Sequence, residues 1–177
     1  MRLFIAINLT SEIKAYLMAA ILELKKEAFK GNFTHRENLH LTLVFLGELS
    51  EEKTDIIKTA MNQIKGEPFL LSLSGFGRFK RNSGDIHWAG VDKSEALIMI
   101  QKQLIGELEK AGFSPENKEY AHHLTLGREV RLSEPSGNIY ESLPAAKQEM
   151  TVSRISLMKS ERIDGKLVYS EIYGREL

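Results

Sequence analysis

Cysteine is absent from the 177-residue sequence, which excludes disulfides, thiolate metal sites and a cysteine nucleophile together. The same absence fits a reducing, cytoplasmic setting. Neither sign of charge is in surplus: Lys and Arg total 24, and Asp and Glu total 24. A protein that grips long duplex nucleic acid through many phosphates carries a basic excess, and this chain has none. A small or single-ended anionic ligand needs only one local pocket and stays open. No run approaches the ~18–20 apolar residues that span a bilayer. The apolar opening, Leu3 to Ile7, is too short for the core of a signal peptide and passes at once into Asn8, Thr10, Ser11 and Glu12. A soluble cytoplasmic protein without membrane contact is expected.

What is present is ordinary globular composition, with 42% apolar and 27% charged residues. A chain of this length buries roughly 70% of its unfolded surface and needs no staples. Leu3–Leu9 reads as a buried strand, and Thr10 or Ser11 can cap the helix that follows. Ile13, Leu17, Ala20, Ile21 and Leu24 recur at helical spacing until Gly31-Asn32 ends the run. Leu39–Leu46 alternates as a strand. A helix is expected over about Glu51–Ile64, capped by Ser50. Phe69–Phe79 and Ile86–Val91 read as a hairpin around Lys80–Gly84. A third helix is expected over Glu95–Ala111. His123–Val130 reads as a strand, followed by an irregular stretch with Pro135, Gly137 and Pro144. Val152–Met158 and Leu167–Tyr173 close the chain as strands about an Asp164-Gly165 turn.

A repeat lies inside this pattern. His40-Leu41-Thr42-Leu43 recurs letter for letter as His123-Leu124-Thr125-Leu126, 83 residues later. The same offset lays Ala6 on Ala89, Ser11-Glu12 on Ser94-Glu95 and Ala28 on Ala111. Element order agrees, so residues 1–47 and 84–130 read as two copies of a strand–helix–strand unit within one two-lobed domain, 1–177. Each copy is expected to bring one His-x-Thr strand to a shared cleft.

Residues two apart on a strand face the same side, so His40 and Thr42 project together over Leu41 and Leu43, and likewise His123 and Thr125 over Leu124 and Leu126. Two opposed imidazoles suit paired acid–base work near neutrality, one neutral and one protonated. The threonine hydroxyls can donate to phosphate oxygens between them. No metal or other cofactor is needed, and no carboxylate accompanies the histidines at ligand spacing such as H-E-x-x-H. A single His-x-Thr is usually a satisfied polar pair; packing alone does not ask for histidine twice. His122 is expected to point away from His123 in a structural or surface role, and His35 and His87 carry no signal. The basic cluster Arg78, Lys80 and Arg81 adjoins a hairpin turn. Phe76, Phe79 and Trp88 are open to base stacking or, more simply, to core packing.

The paired HxTx motifs, the RLFIAINL strand, ENLHLTLVFLGE, GDIHWAGV (84–91), HHLTLGR (122–128) and GKLVYSEIY (165–173) resemble the 2H phosphoesterase superfamily. Within it the RNA 2′,3′-cyclic phosphodiesterases, also called 2′-5′ RNA ligases, are most similar. The resemblance implies a two-lobed, pseudo-symmetric α+β fold whose antiparallel sheets line a central cleft. It implies metal-free hydrolysis of a 2′,3′-cyclic phosphate on an RNA end or nucleotide to a 2′-phosphomonoester. His40 then falls on the proton donor to the departing 3′ oxygen and His123 on the base for water. Thr42 and Thr125 fall on phosphate-binding positions, and Arg128 on the arginine that often follows the second motif. Strict alternation aims Arg128 away from His123, unless a bulge at Gly127 re-aims it; otherwise it is a surface ion-pairing residue. Its counterpart in the first copy is Phe45. A monomer with no obligate protein partner is expected. The alternatives are 2′-5′ RNA ligation, another cyclic or 2′-5′ phosphodiester substrate, or an RNA-end-binding module without turnover.

Overall fold

A computed structural model describes residues 1–115, 122–133 and 138–177. Pro135 and Gly137 lie outside the described residues. The elements in order are β1 (Arg2–Asn8), α1 (Ser11–Glu27), β2 (Ala28–Phe33), β3 (His40–Glu48), α2 (Lys53–Asn62), β4 (Phe69–Phe79), β5 (Asp85–Val91), α3 (Glu95–Lys110), β6 (His123–Leu132), β7 (Glu149–Val152), β8 (Arg154–Ile163) and β9 (Lys166–Glu176). Two short 3₁₀ turns, at Arg36–Asn38 and Ile139–Ser142, complete the described chain.

The strands form two antiparallel sheets, ordered β3-β1-β8-β9 and β2-β6-β5-β4-β7. The fold is thus α+β, with helices and strands sharing one apolar core. The predicted stripe of α1, from Ile13 to Leu24, is fully buried in it, as are Leu97, Ile100, Leu104 and Leu108 of α3. Among the described residues no helix is long and apolar enough to cross a membrane.

Three expectations need correction. The first helix ends at Glu27, not at Gly31-Asn32, and Ala28 turns directly into β2. This edge strand shows no apolar alternation because its outer side faces water, with Phe29 67% exposed; its hydrogen bonds come from β6, a hundred residues downstream. The second helix starts at Lys53 and has no side-chain cap; Ser50 supplies only its backbone carbonyl, which accepts from Lys53 N at 3.2 Å. The expected strand Val152–Met158 is two strands in different sheets, β7 and β8, with the chain passing from one sheet to the other at Ser153. By contrast the Asp164-Gly165 turn is present, with both residues at positive φ (50° and 78°), the backbone that a two-residue hairpin between twisted strands requires.

The 83-residue offset holds for the motif strands but not around them. Leu41 pairs with Ile7, whereas Leu124 pairs with Ala89; Ala6 therefore corresponds in register to Trp88, not to Ala89. The helix caps are Thr10 and Ser94, whose hydroxyls each accept from a backbone N–H at 3.4 Å, an offset of 84. Ser11 on Ser94 is a coincidence of letters. Ala28 and Ala111 do correspond, each ending its helix.

Candidate active site

In both copies the motif strand begins at its histidine and carries the same burial sequence. His40 and Thr42 are half-buried, Leu41, Leu43 and Val44 buried, Phe45 exposed; His123 and Thr125 are half-buried, Leu124, Leu126 and Gly127 buried, Arg128 exposed. The apolar members anchor the strand and the polar ones are presented by a rigid sheet, which fixes their geometry better than a loop does.

A bulge breaks each strand at the same place. Thr42 and Val44 pair with consecutive residues of β1, Ala6 and Ile5; Thr125 and Gly127 pair with consecutive residues of β5, Trp88 and His87. Leu43 and Leu126 are the extra residues. An extra residue flips the alternation beyond it, so Phe45 and Arg128 turn to the same face as the histidines. The expected re-aiming of Arg128 is thus present, although glycine is not its cause, since valine stands at the equivalent bulge position in the first copy. Gly127 serves packing instead: a Cβ there would come within 3.0 Å of the Phe33 ring and of Val130.

His40, Thr42, His123, Thr125 and Arg128 all line one cleft of about 490 Å³. Every predicted site residue is therefore brought to a single place. Arg128 makes no ion pair with a described carboxylate; its charge acts on His40 instead. Among the described residues no group of three or more His, Asp or Glu is placed to hold a metal ion.

The His40 ring is held on three sides. Its Nδ1 lies 2.6 Å from the backbone carbonyl of Asn38, which only accepts, so Nδ1 carries a proton and donates. Nε2 lies 2.9 Å from the Thr42 hydroxyl and is the nitrogen left for chemistry. The ring tilts over Phe4 at 4.8 Å and meets Tyr169 edge-on at 5.2 Å. Burial pushes the His40 pKa down from its ordinary value; the Asn38 carbonyl opposes this, and the charges of Lys14 and Arg128 add to it. His123 meets the Phe79 ring edge-on at 5.2 Å. Thr34 braces the second strand, its hydroxyl donating to the Thr125 carbonyl at 2.9 Å and its N–H to the Leu126 carbonyl.

Sequence reasoning missed Asn38, Gln101 and Tyr169. Gln101 on α3 ties the two motif strands together: its amide nitrogen donates to the carbonyl of Leu43 at 2.9 Å, and its oxygen lies 3.1 Å from His122 Nε2. His122 thus has the structural role expected of it. His87 is a core histidine, 1% exposed, with Tyr140 as hydrogen-bond partner. Phe76 stacks on Tyr16 of α1, while Phe79 stands between Trp88 and His123, in ring contact with each. Arg78 pairs with Asp85 at 2.8 Å, and Arg81 lies over Phe79. Gln101 and Tyr169 carry no local pattern because each reaches the site from a distant element, and Asn38 carries none because it acts through its backbone carbonyl.

A family model described as the 2′-5′ RNA ligase superfamily matches residues 13–164. An RNA 2′,3′-cyclic phosphodiesterase of Thermotoga maritima is 33% identical over 176 residues, covering 98% of this chain and 94% of its own. One from Methanothermobacter thermautotrophicus is 31% identical over 97% of this chain and 96% of its own. Among solved structures, Escherichia coli LigT complexed with 3′-AMP superimposes with a TM-score of 0.82 at 27% identity, covering 99% of this chain and 97% of that one.

Proposed function

For this chain, which belongs to the 2′-5′ RNA ligase superfamily, we propose hydrolysis of terminal 2′,3′-cyclic phosphates on RNA to 2′-phosphomonoesters by two-histidine acid–base catalysis. The single observation that carries the reading is the meeting of both HxTx pairs and Arg128 in one cleft. Phosphate is the anion that such a set fits: two hydroxyls and a guanidinium donate to non-bridging oxygens, with an imidazole on either side.

In the forward reaction His123 takes a proton from water as its oxygen bonds to phosphorus. The bond from phosphorus to the 3′ oxygen breaks, and His40 Nε2 gives its proton to that oxygen. One proton is taken and one given, so the pair returns to its starting state by exchange with solvent. The Asn38 carbonyl holds Nδ1–H in place, which keeps Nε2 aimed at the cleft in both protonation states. Burial and the nearby cations lower the His40 pKa in the free protein. An anionic phosphate in the cleft acts in the opposite sense, so substrate itself favours the protonated acid.

The same reading takes residues 1–177 as one two-lobed domain built from duplicated units, 1–47 and 84–130. It acts as a monomer on RNA ends in the cytoplasm and needs no cofactor. Incubation of the pure protein with adenosine 2′,3′-cyclic phosphate tests it, with adenosine 2′-phosphate as the expected product. Binding without turnover would instead mark an RNA-end-binding module, and a 3′-phosphate product would overturn the assignment of the leaving oxygen.

A further inference from the structure

Leu97, Gln101, Leu104 and Leu108 recur at helical spacing along α3, and the glutamine is the polar member of an otherwise buried stripe. An amide on the inner side of a helix costs free energy unless its donor and its acceptor both find partners. Here both do, and the partners sit one residue from the HxTx residues. The Gln101 amide nitrogen donates at 2.9 Å to the carbonyl of Leu43, next to Thr42 in the chain. Its oxygen lies 3.1 Å from Nε2 of His122, next to His123.

A backbone carbonyl only accepts, so the Leu43 contact fixes which way the amide points. Oε1 therefore faces His122 and accepts from its Nε2–H. Burial, and after it the neighbouring His123, push the His122 pKa down. Nε2–H is kept in the neutral ring and in the charged one, so the bond does not depend on protonation. Leu43 has no register partner on β1, and β3 is an outer strand of its sheet. β6 belongs to the other sheet, so no shared ladder sets the distance between the two motif strands.

We propose that Gln101 is a positioning residue, a strut between the two sheets that fixes the gap between the His40 and His123 imidazoles. This rests on the proposed roles of those histidines. Displacement at phosphorus proceeds with the entering and departing oxygens roughly in line, so the base and the acid must stand a set distance apart. A misplacement of about 1 Å can cost roughly 10²-fold in rate. The amide holds the gap only while it is bonded at both ends. Cutting either end frees the gap as fully as cutting both.

The test is a double-mutant cycle on kcat for adenosine 2′,3′-cyclic phosphate. Gln101→Met keeps the length of the side chain and removes both bonds, whereas His122→Leu removes one. Each variant, and the two combined, should lower kcat by a similar factor of roughly 10–100, with a smaller change in KM. His122→Gln keeps a donor at that reach and should retain the rate of the unmodified protein. A nucleoside 2′-phosphodiester with a nitrophenolate leaving group needs no acid, so on that substrate the losses should shrink. Falls that multiply in the combined variant, an impaired His122→Gln, or equal losses on both substrates would overturn the strut. If the unmodified protein turns over neither substrate, the phosphodiesterase reading falls, and the Kd for adenosine 2′-phosphate carries the test. An equal weakening in Gln101→Met, His122→Leu and their combination, absent in His122→Gln, keeps the strut. An unchanged Kd throughout overturns it.

Discussion

The two motif strands share a backbone plan and differ in what surrounds it. Both begin at histidine, bury the same positions, bulge after threonine and are joined through Gln101. Around His40 the neighbours are a backbone carbonyl, Phe4 and Tyr169; around His123 Phe79 stands edge-on. Beyond the bulges, one strand presents a phenyl ring and the other a guanidinium. Two rigid strands of matching plan bring two imidazoles to one cleft, and the differences among the few side chains around them allow the two to take different jobs. A symmetric pair would have no reason to prefer one direction of proton flow.

The largest expected effect breaks the comparison at its centre. His40→Ala and His123→Ala should each lower kcat by ~10²–10⁴-fold, the usual loss on removing a positioned acid or base. Near-normal turnover in either variant would remove the two-histidine mechanism. Next in size, Arg128→Ala should raise KM by about ten- to a hundredfold, as expected for losing charge-assisted bonds to a phosphate. Steady-state kinetics unchanged from the unmodified protein would return Arg128 to the surface.

The shared backbone plan has its own test in stability. Leu43 and Leu126 are the bulge residues of the two strands, and both are buried. Leu43→Ala and Leu126→Ala should each cost about 2–5 kcal/mol in chemical denaturation. A cost confined to one copy would mean that only one bulge is part of the packed frame.

A smaller effect concerns pH. A proton donor works only while protonated, so the activity that depends on His40 is lost as pH rises through its pKa. Burial, with help from Lys14 and Arg128, holds that pKa below the ordinary 6.5 in the free protein. Bound phosphate raises it, so the falling limb should lie at higher pH in kcat than in kcat/KM. Arg128→Gln removes one lowering charge and should move the kcat/KM limb upward. Each limb belongs to the coupled pair, and coincident profiles would contradict the account. Smallest of all is the effect of a chelator: turnover should survive EDTA. Loss restored by a divalent ion would move the case to metal-assisted chemistry.

The parts of this structure that were legible in the sequence are those whose residues face the core or whose turn needs a special backbone. The α1 stripe, the alternation of β3 and β6 and the Asp164-Gly165 turn each carry a local physical signature. The two edge strands of the five-stranded sheet do not. β2 and β7 hang on one neighbour apiece and are defined by a partner far along the chain. The catalytic candidates were legible because a tetrapeptide repeats. The aim of Arg128 was legible only as a choice, since alternation and bulge give opposite answers and strand register decides between them. Asn38 acts through its backbone carbonyl, and Tyr169 lies 129 residues beyond His40, so no spacing rule reaches either. Letter identity also misled: Ala6 on Ala89 and Ser11 on Ser94 match as letters but not as positions in the fold.

The claim at the centre is that two matched imidazoles hold opposite roles, and leaving-group rescue tests it most directly. A nucleoside 2′-phosphodiester with a nitrophenolate leaving group needs no proton at the departing oxygen. Turnover of that substrate by His40→Ala should approach that of the unmodified protein, while His123→Ala stays impaired. Rescue of His123→Ala with His40→Ala still impaired would contradict the account.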